Sequence, residues 1–302
     1  MQETRQIPTA GEVFLDHLAH FLPNMAAAET VLAAMGFTLT PFTVQRNQTE
    51  AGYVPSGTAN RCAMLESGYL EFLTRNSDTA LAKQLDDALK RYTGVHLLAM
   101  STDDAEQAVA RLDQAGFAPA PVVHLTRAVD LPAGDEALAR FSVVRVPPGT
   151  MPEGRIQLLT HHTPEIVWQN RWTAHRNGIR SLEATLLIVD DPVEVAARYG
   201  RFLGREPVSL SGDRRLLSLD RGALVFATMA EGLGGGDVAQ RPWIAGYALG
   251  ADDPAAAADA LCQGGARRLA DADPAEPVVE FPPAVGGRVV LVRPGSRPAF
   301  AR

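Results

Sequence analysis

The residues VFLDHLAHFLPN, 13–24, are followed at once by MAAAETVLAAMGF, 25–37, and together they predict a strand and then a helix. The first part alternates as a β-strand does, and the second is Ala-rich and typical of a helix that ends at Gly-Phe. Because successive strand side chains point to opposite faces, His17 shares a face with Ala19 and Phe21. A lone histidine on an apolar face is usually a buried core residue, so a function for His17 depends on what the chain places beside it.

The same plan of strand, acidic residues and Ala-rich helix returns three more times. The copies are VHLLAMSTDDAEQAVARLDQAGF at 95–117, SLEATLLIVDDPVEVAARYGRFLG at 181–204 and WIAGYALGADDPAAAADALCQGG at 243–265. Their aspartates favour the positive end of a helix, and Pro192 and Pro254 stand in the expected first turn. Short alternating strands follow each helix. The repeats therefore predict four copies of a βαβββ module.

These modules predict an α+β fold in which four modules form two pairs. Pair one covers residues 12–166, with modules at about 12–76 and 94–166. Pair two covers residues 181–296, with modules at about 181–230 and 242–296. Residues 1–11 are an N-terminal extension. Residues 163–180 fit no module, and we place the linker between the pairs at residues 167–180.

The composition indicates a globular protein of a reducing compartment. Its 302 residues suffice for about two domains, and its net charge of −7 argues against nucleic acid and anionic membranes as partners. Cys62 and Cys262 are far apart and have no metal-type spacing. The opening MQETRQIPTAG lacks the apolar region of a signal peptide, and no apolar run reaches membrane-spanning length. We expect a cytoplasmic monomer or homodimer that acts on a small molecule.

Four βαβββ modules in 302 residues resemble the vicinal oxygen chelate superfamily. The first module resembles its glyoxalase-like domain family in particular, through LDHLAHFLPN, SGTANRCAMLESG and GYLEFLT. The resemblance implies two paired, incomplete barrels. It also implies one metal ion in a cup, held by residues on the first and last strands of each module.

The resemblance places four ligands in pair one. His17 lies seven residues before Asn24, and His96 lies seven before Asp103. Overlaying YLEFLT on RIQLLTH puts Glu71 on Gln157. The expected ligands are thus His17, Glu71, His96 and Gln157. They imply one divalent transition metal ion, and ligand type alone does not choose among Fe(II), Mn(II), Ni(II), Co(II) and Zn(II).

Pair two lacks such a set. Glu183, seven residues before Asp190, is the one potential ligand, because the other equivalents are about Val225, Ala245 or Gly246, and Val290. We expect pair two to be a degenerate copy with a structural role.

Other polar residues are candidates for acid–base work and substrate binding. In glyoxalase I a carboxylate from one of these strands is the base; Gln157 cannot take a proton, whereas Glu71 can. Tyr69 and His161 are further acid–base candidates. Thr58, Asn60 and Arg61 are candidates for substrate binding, although strand alternation puts Arg61 on the opposite face from the other two.

Three functions stay open at this point. The first is a metal-dependent lyase, isomerase or hydrolase acting on a small substrate that chelates the metal through vicinal oxygens. The second is an Fe(II) extradiol-type dioxygenase. The third is a non-catalytic binding or resistance protein.

Overall fold

The computed structural model describes residues 5–49, 52–132, 134–235, 240–270 and 272–302. Residues 1–4 of the expected N-terminal extension lie outside the described residues. The described chain is a mixed α+β structure with two sheets of eight strands each, which confirms the predicted fold class.

The first sheet is built from residues of pair one. Its strands and helices are β1 (Phe14–Leu22), α1 (Met25–Ala34), β2 (Thr43–Thr49), β3 (Gly52–Met64), β4 (Tyr69–Arg75), α2 (Ala80–Leu89), β5 (Gly94–Ser101), α3 (Ala105–Gln114), β6 (Val123–Asp130), β7 (Glu136–Arg145) and β8 (Arg155–His161).

This sheet is a closed barrel of order β1-β4-β3-β2-β6-β7-β8-β5, not the incomplete barrel that the resemblance implies. The two modules meet at β1 and β5, which are antiparallel. On the other side β2 pairs with β6 through Arg46 with Thr126 and Asn47 with Leu125. This short seam satisfies backbone groups that would otherwise form a free sheet edge.

Both ends of the barrel are covered. Helix α2, which the sequence did not predict, lies at one end, where Leu85 packs with the inward-facing Ala19 and Leu97. Two short helices, α4 (Pro164–Val167) and α5 (Asn170–Thr173), lie at the other end. The segment expected to be a plain linker therefore packs its Val167 into the barrel core.

The second sheet is built from residues of pair two. Its elements are β9 (Ile179–Ile188), α6 (Pro192–Leu203), β10 (Val208–Ser209), β11 (Arg215–Ser218), β12 (Ala223–Ala227), β13 (Trp243–Ala251), α7 (Pro254–Gln263), β14 (Arg267–Arg268), β15 (Val278–Glu280), β16 (Arg288–Val292) and a 3₁₀ helix (Ala299–Ala301). Its order is β10-β11-β12-β9-β13-β16-β15-β14.

The two sheets share a core formed by the outward faces of the strands and by the helices. Leu18, Leu182 and Leu249, from β1, β9 and β13, are all buried in this one cluster. His20 lies in it too, with its Nε2 2.9 Å from the hydroxyl of Tyr247. Barrel and open sheet are thus joined by extensive apolar burial. None of the helices in the described residues is long and apolar enough to span a membrane.

Candidate functional site

The inward face of the barrel encloses a cavity of about 100 Å³. Apolar side chains such as Leu73, Leu97, Val143 and Leu159 form part of its lining. The other part is polar, and its residues belong to the strands of both modules: His17, Gln45, Asn60, Tyr69, Glu71, Arg127, Arg145, Arg155 and Gln157. A concave space lined by apolar side chains and a few convergent polar groups is the usual form of a ligand site.

A β-bulge in β1 brings two neighbouring side chains together. The pairing of β1 with β5 runs from Leu15–Met100 directly to His17–Ala99, so Asp16 is the extra residue. Without a bulge, Asp16 and His17 would point to opposite faces. Here His17 Nδ1 lies 2.7 Å from Asp16 Oδ1.

Asp16 joins two histidines. Its Oδ1 accepts from His17 Nδ1, and its Oδ2 accepts from His161 Nε2 at 2.9 Å. Burial opposes ionisation of Asp16, but His161 and His17 outweigh it and hold the pKa of the carboxyl well below its usual range. Because an ionised carboxylate only accepts hydrogen bonds, the proton of neutral His17 resides on Nδ1. The lone pair of Nε2 is therefore free.

Glu71 and Tyr69 stand beside that lone pair. Glu71 Oε2 is 3.7 Å from His17 Nε2, while Glu71 Oε1 accepts from Asn60 Nδ2 at 2.5 Å and from Gln45 Nε2 at 3.0 Å. The Tyr69 ring stacks on the imidazole of His17 with a centroid distance of 4.3 Å. Burial, followed by the nearby carboxylates, raises the pKa of Tyr69 well above its usual value, so the phenol stays protonated.

The β7–β8 side of the cavity carries positive charge. Arg145 lies opposite Gln157 across the two strands, and Arg155 lies two residues before Gln157. Burial lowers the pKa of Arg145, and burial together with Arg145 lowers the pKa of Arg155 to about 10. Both side chains remain charged at neutral pH. Arg127 adds a third guanidinium, 3.8 Å from Cys62 Sγ.

The structure corrects the repeat register on which His96 was chosen. The helix that follows β5 begins after the N-cap Asp104, not Asp103, so the residue seven positions before the cap is Leu97. The pairing of β1 with β5 agrees, because it passes from Ala19–Leu97 to His20–Val95 and leaves His96 as a bulge residue. His96 is thus the counterpart of Asp16, and Leu97 is the counterpart of His17.

His96 does not line the cavity. Its ring stacks on Tyr92 at 3.9 Å, and its Nε2 donates to the Tyr92 carbonyl at 2.8 Å. The structure therefore brings together three of the four expected ligands, His17, Glu71 and Gln157, and separates the fourth from them.

Some of the residues expected to bind substrate or to act in acid–base chemistry line the cavity, and others lie outside it. Asn60 and Tyr69 line the cavity. Thr58 is buried behind it and donates to Gln45 Oε1 at 2.6 Å, which helps to hold the amide that bonds Glu71. Arg61 points outward, as strand alternation predicts, to Glu29 of α1. His161 is outside the cavity lining; it bonds Asp16, and its ring packs against Phe141, which lines the cavity.

The cavity residues do not fit the transition-metal centre that the resemblance implies. They provide one imidazole and one carboxylate, since Leu97 stands where the second imidazole was expected. Within the described residues, no three His, Cys, Asp or Glu side chains are grouped so as to hold a metal ion. The guanidinium groups of Arg127, Arg145 and Arg155 on the same cavity also oppose a second cation.

The corresponding interior of pair two is apolar. The positions equivalent to His17 and Glu71 are Ala184 and Val225, and both are buried in a cluster that contains the side chain of Phe300. Glu183 is a bulge residue like Asp16, and it accepts from Gly295 N at 3.0 Å. This interior is filled by the chain itself, and the structural role of pair two stays a prediction.

Sequence reasoning missed Asp16, Gln45, Arg127, Arg145 and Arg155. Strand alternation offered a signal for one of them, because Arg155 lies two residues before Gln157 and shares its face. Asp16 gave no such signal, because alternation assigns it to the face away from His17.

Comparison with known proteins agrees with this architecture. A hypothetical protein from Staphylococcus aureus is 10% identical, with a TM-score of 0.63 over 93% of this chain and 99% of that one. A xylose isomerase-like TIM barrel/4-hydroxyphenylpyruvate dioxygenase fusion protein is 11% identical, with a TM-score of 0.57 over 97% of this chain and 51% of that one. A mutant of 4-hydroxymandelate synthase from Streptomyces coelicolor is 13% identical, with a TM-score of 0.50 over 95% and 94%.

At these identities the structural likeness shows a shared fold. No curated protein matches the chain. The family described as "Glyoxalase-like domain" matches residues 15–203, which is more than half of the chain. Together with the four βαβββ modules, this match shows that the chain belongs to the glyoxalase-like domain family of the vicinal oxygen chelate fold.

Proposed function

We propose that the chain is an enzyme that transfers a proton on a small oxygen-bearing substrate, in non-oxidative lyase or isomerase chemistry. The observation that carries this proposal is the Asp16–His17 pair, whose free Nε2 lies 3.7 Å from Glu71 Oε2 at the cavity. A histidine that is oriented by a buried carboxylate and has one free nitrogen is a general base.

In this proposal His17 Nε2 removes a proton from a carbon next to a carbonyl. The C–H electron pair moves to the carbonyl oxygen and gives an enolate, while His17 becomes an imidazolium. Asp16 and Glu71 stabilise that imidazolium, because one accepts from Nδ1 and the other faces Nε2. The Tyr69 hydroxyl donates to the developing oxyanion; it forms no hydrogen bond with any residue that the structure describes.

In one course, the hydroxyl on the deprotonated carbon passes its proton to the enolate oxygen, that carbon becomes the carbonyl, and the imidazolium protonates the former carbonyl carbon. In the other, the enolate re-forms its carbonyl and expels a leaving group from the adjacent carbon, and the imidazolium protonates that group. The first outcome is an isomerisation, and the second is an elimination of the lyase type. Glu71 remains in place during these steps, because two amide groups hold its Oε1. The metal ion expected from the resemblance has no step here, since the donor set does not fit it.

The test of this proposal is proton exchange. The protein is incubated in D₂O with 2-oxoaldehyde–thiol adducts and with vicinal hydroxy-keto acids, while NMR follows exchange at carbon and an electrode follows oxygen. We expect exchange without oxygen uptake, and a loss of at least about 100-fold in His17→Gln, the usual size of a general-base contribution. His124→Gln is the control, because His124 bonds Ser142 and does not line the cavity.

Two results would overturn the proposal. An unchanged rate in His17→Gln would remove the base. Stoichiometric oxygen uptake with a catechol, supported by Fe(II) alone, would favour the dioxygenase instead.

Metal content is measured on the same samples. We expect no stoichiometric transition metal after purification and an exchange rate that survives dialysis against a chelator. One tightly held ion per chain, lost in His17→Gln, would show that a metal centre forms without His96.

A further inference from the structure

The wall of the cavity formed by β7 and β8 differs in chemistry from the wall formed by β1 and β4. In the first module His17 lies opposite Tyr69, and in the second module Leu97 lies opposite Arg155. Two residues further along, Gln157 of the second module corresponds to Glu71 of the first. The proton-transfer groups therefore belong to the first module. The second module presents Arg155, Gln157 and Arg145 at the related positions.

Among the described residues, no acidic side chain contacts either of these two arginines directly, although Glu71 on the same cavity attracts Arg155 through space. Neither guanidinium forms an ion pair or a hydrogen bond with any residue that the structure describes. Arg145 Nε is buried without a partner, and the guanidinium of Arg155 lies 5.3 Å from the centre of the Phe21 ring. Two half-buried cations side by side repel each other, and such groups are normally found paired. A bound anion supplies the direct partner that both guanidinium groups lack.

We propose that Arg145 and Arg155 bind the carboxylate of the substrate. The planar guanidinium fork matches a carboxylate and donates two parallel hydrogen bonds to it. The cavity volume of about 100 Å³ favours a compact organic acid over a bulkier phosphate ester. This assignment deepens the proposed function and rests on it, because the carboxylate then anchors the carbon that His17 deprotonates.

Gln157 narrows the substrate class further. It pairs with Arg145 across the strands and follows Arg155 by two residues, and its Oε1 is buried without a hydrogen-bond donor. A hydroxyl on the carbon next to the carboxylate supplies that donor. The wall therefore fits a small 2-hydroxycarboxylate.

Calorimetric titration of the purified protein tests this assignment without turnover. The probes are glycolate, acetate, the neutral glycolamide, and inorganic phosphate. We expect glycolate to bind more tightly than acetate and phosphate, and glycolamide not to bind. Arg155→Gln and Arg145→Gln should each weaken glycolate binding by at least about tenfold, as expected for a hydrogen bond between charged groups.

Three variants complete the design. Arg155→Lys keeps the charge and should retain more affinity than Arg155→Gln, which also covers the case in which the glutamine variant does not fold. Arg297→Gln is the control, since Arg297 is exposed far along the chain from the cavity strands and bonds Ser218. His17→Gln should bind glycolate as the unmodified protein does, although it has lost proton exchange.

The outcomes separate this inference from the proposed function. Glycolate binding that is unaffected by both glutamine variants, absence of glycolate binding, or phosphate binding as tight as that of glycolate would each overturn the carboxylate site. Arginine-dependent glycolate binding in a protein that exchanges no proton with any probe would uphold the carboxylate site and overturn the proposed base.

Discussion

Asp16 shows how one residue changes the chemistry of its neighbours. It is buried, it carries a negative charge, and it is held between His17 Nδ1 and His161 Nε2. A charge in the protein interior is tolerated only when it is paired, and the two imidazole N–H groups pair it here. The same contacts fix the tautomer of His17 and direct its free nitrogen to the cavity.

Replacing Asp16 by Asn should therefore affect both activity and stability. The amide offers an N–H to one of the histidines where an acceptor is needed, so the tautomer of His17 is no longer fixed. We expect the proton-exchange rate to fall at least about 100-fold. We also expect the free energy of unfolding, measured with urea, to fall by about 3 kcal/mol, the size typical of a broken buried pair.

Glu183→Gln is the matched control for Asp16→Asn. Glu183 occupies the equivalent bulge in β9, but it contacts Gly295 and Ser181 rather than a cavity residue. The proton-exchange rate of Glu183→Gln should equal that of the unmodified protein. Equal rates in Asp16→Asn and the unmodified protein would contradict the role given to Asp16.

At the scale of elements, a bulge recurs in the first strand of every module. The bulge residues are Asp16, His96, Glu183 and Ala245, each eight positions before the N-cap of the following helix. The backbone device is repeated, while its side chain is free to differ. In β1 the bulge residue is part of the site, and in the other three strands it is not.

Helix α2 depends on a close approach to β3. Gly57 has a φ of +98°, and a Cβ added there would lie 1.9 Å from Thr79 Oγ1. Thr79 is the N-cap of α2, and its hydroxyl donates to the Ser56 carbonyl at 2.8 Å. Leu81 of the same helix lines the cavity. Gly57 therefore sets where α2 covers the barrel.

Gly57→Ala should destabilise the protein by about 2–3 kcal/mol. One part of this cost is an alanine in a left-handed backbone conformation, and the other part is the loss of the Thr79 cap of α2. Gly149→Ala is the control: its φ is +87°, but nothing lies within 4 Å of the added Cβ. That variant should lose only about 1–2 kcal/mol. Urea unfolding measures both, and equal losses would show that the contact with Thr79 is unimportant.

At the scale of the molecule, barrel and open sheet are joined around His20. Its Nδ1 donates to the Val285 carbonyl at 3.1 Å, and its Nε2 accepts from the Tyr247 hydroxyl at 2.9 Å. Both partners belong to pair two. Burial lowers the pKa of His20 from 6.5 to about 4, so the imidazole is neutral in this interface.

The junction should weaken in acid. Below pH 6.5 the unfolded chain takes up a proton at His20, whereas the folded chain does so only near pH 4. The neutral histidine thus contributes stability that is present above pH 6.5 and is lost as the pH falls towards 4. The loss is at most about 1.4 kcal/mol per pH unit for this group.

Thermal unfolding between pH 7 and pH 4 checks this expectation. His20→Gln should lower stability at pH 7 but reduce the further loss of stability between pH 7 and pH 4. A part of that loss should remain, because burial also lowers the pKa of His96 to about 4. Tyr247→Phe, which keeps His20 buried and removes one hydrogen bond, should lower stability without reducing that further loss. An unchanged loss in His20→Gln would show that His20 does not govern acid sensitivity.

The repeated module and the fold class could be predicted from the sequence, and strand alternation placed His17, Glu71 and Gln157 on faces that line the cavity. Apolar residues repeat every two positions in a strand and every 3.6 positions in a helix, and both patterns can be seen within a short stretch of sequence. Helix-starting residues mark where a strand ends and a helix begins. Four copies of one pattern then limit the architecture to paired modules. Closure of the barrel through two residue pairs of β2 and β6 was not visible, because the seam joins strands of different modules.

The composition of the site depends on strand pairing, which is a property of the folded chain. A bulge adds one residue whose presence depends on the partner strand, so the sequence cannot distinguish it from regular alternation. The bulge in β5 exchanges His96 for Leu97, and the separate bulge in β1 turns Asp16 towards His17. The bulge in β5 also leaves Arg145 and Arg155, rather than a second imidazole, to set the charge of the cavity.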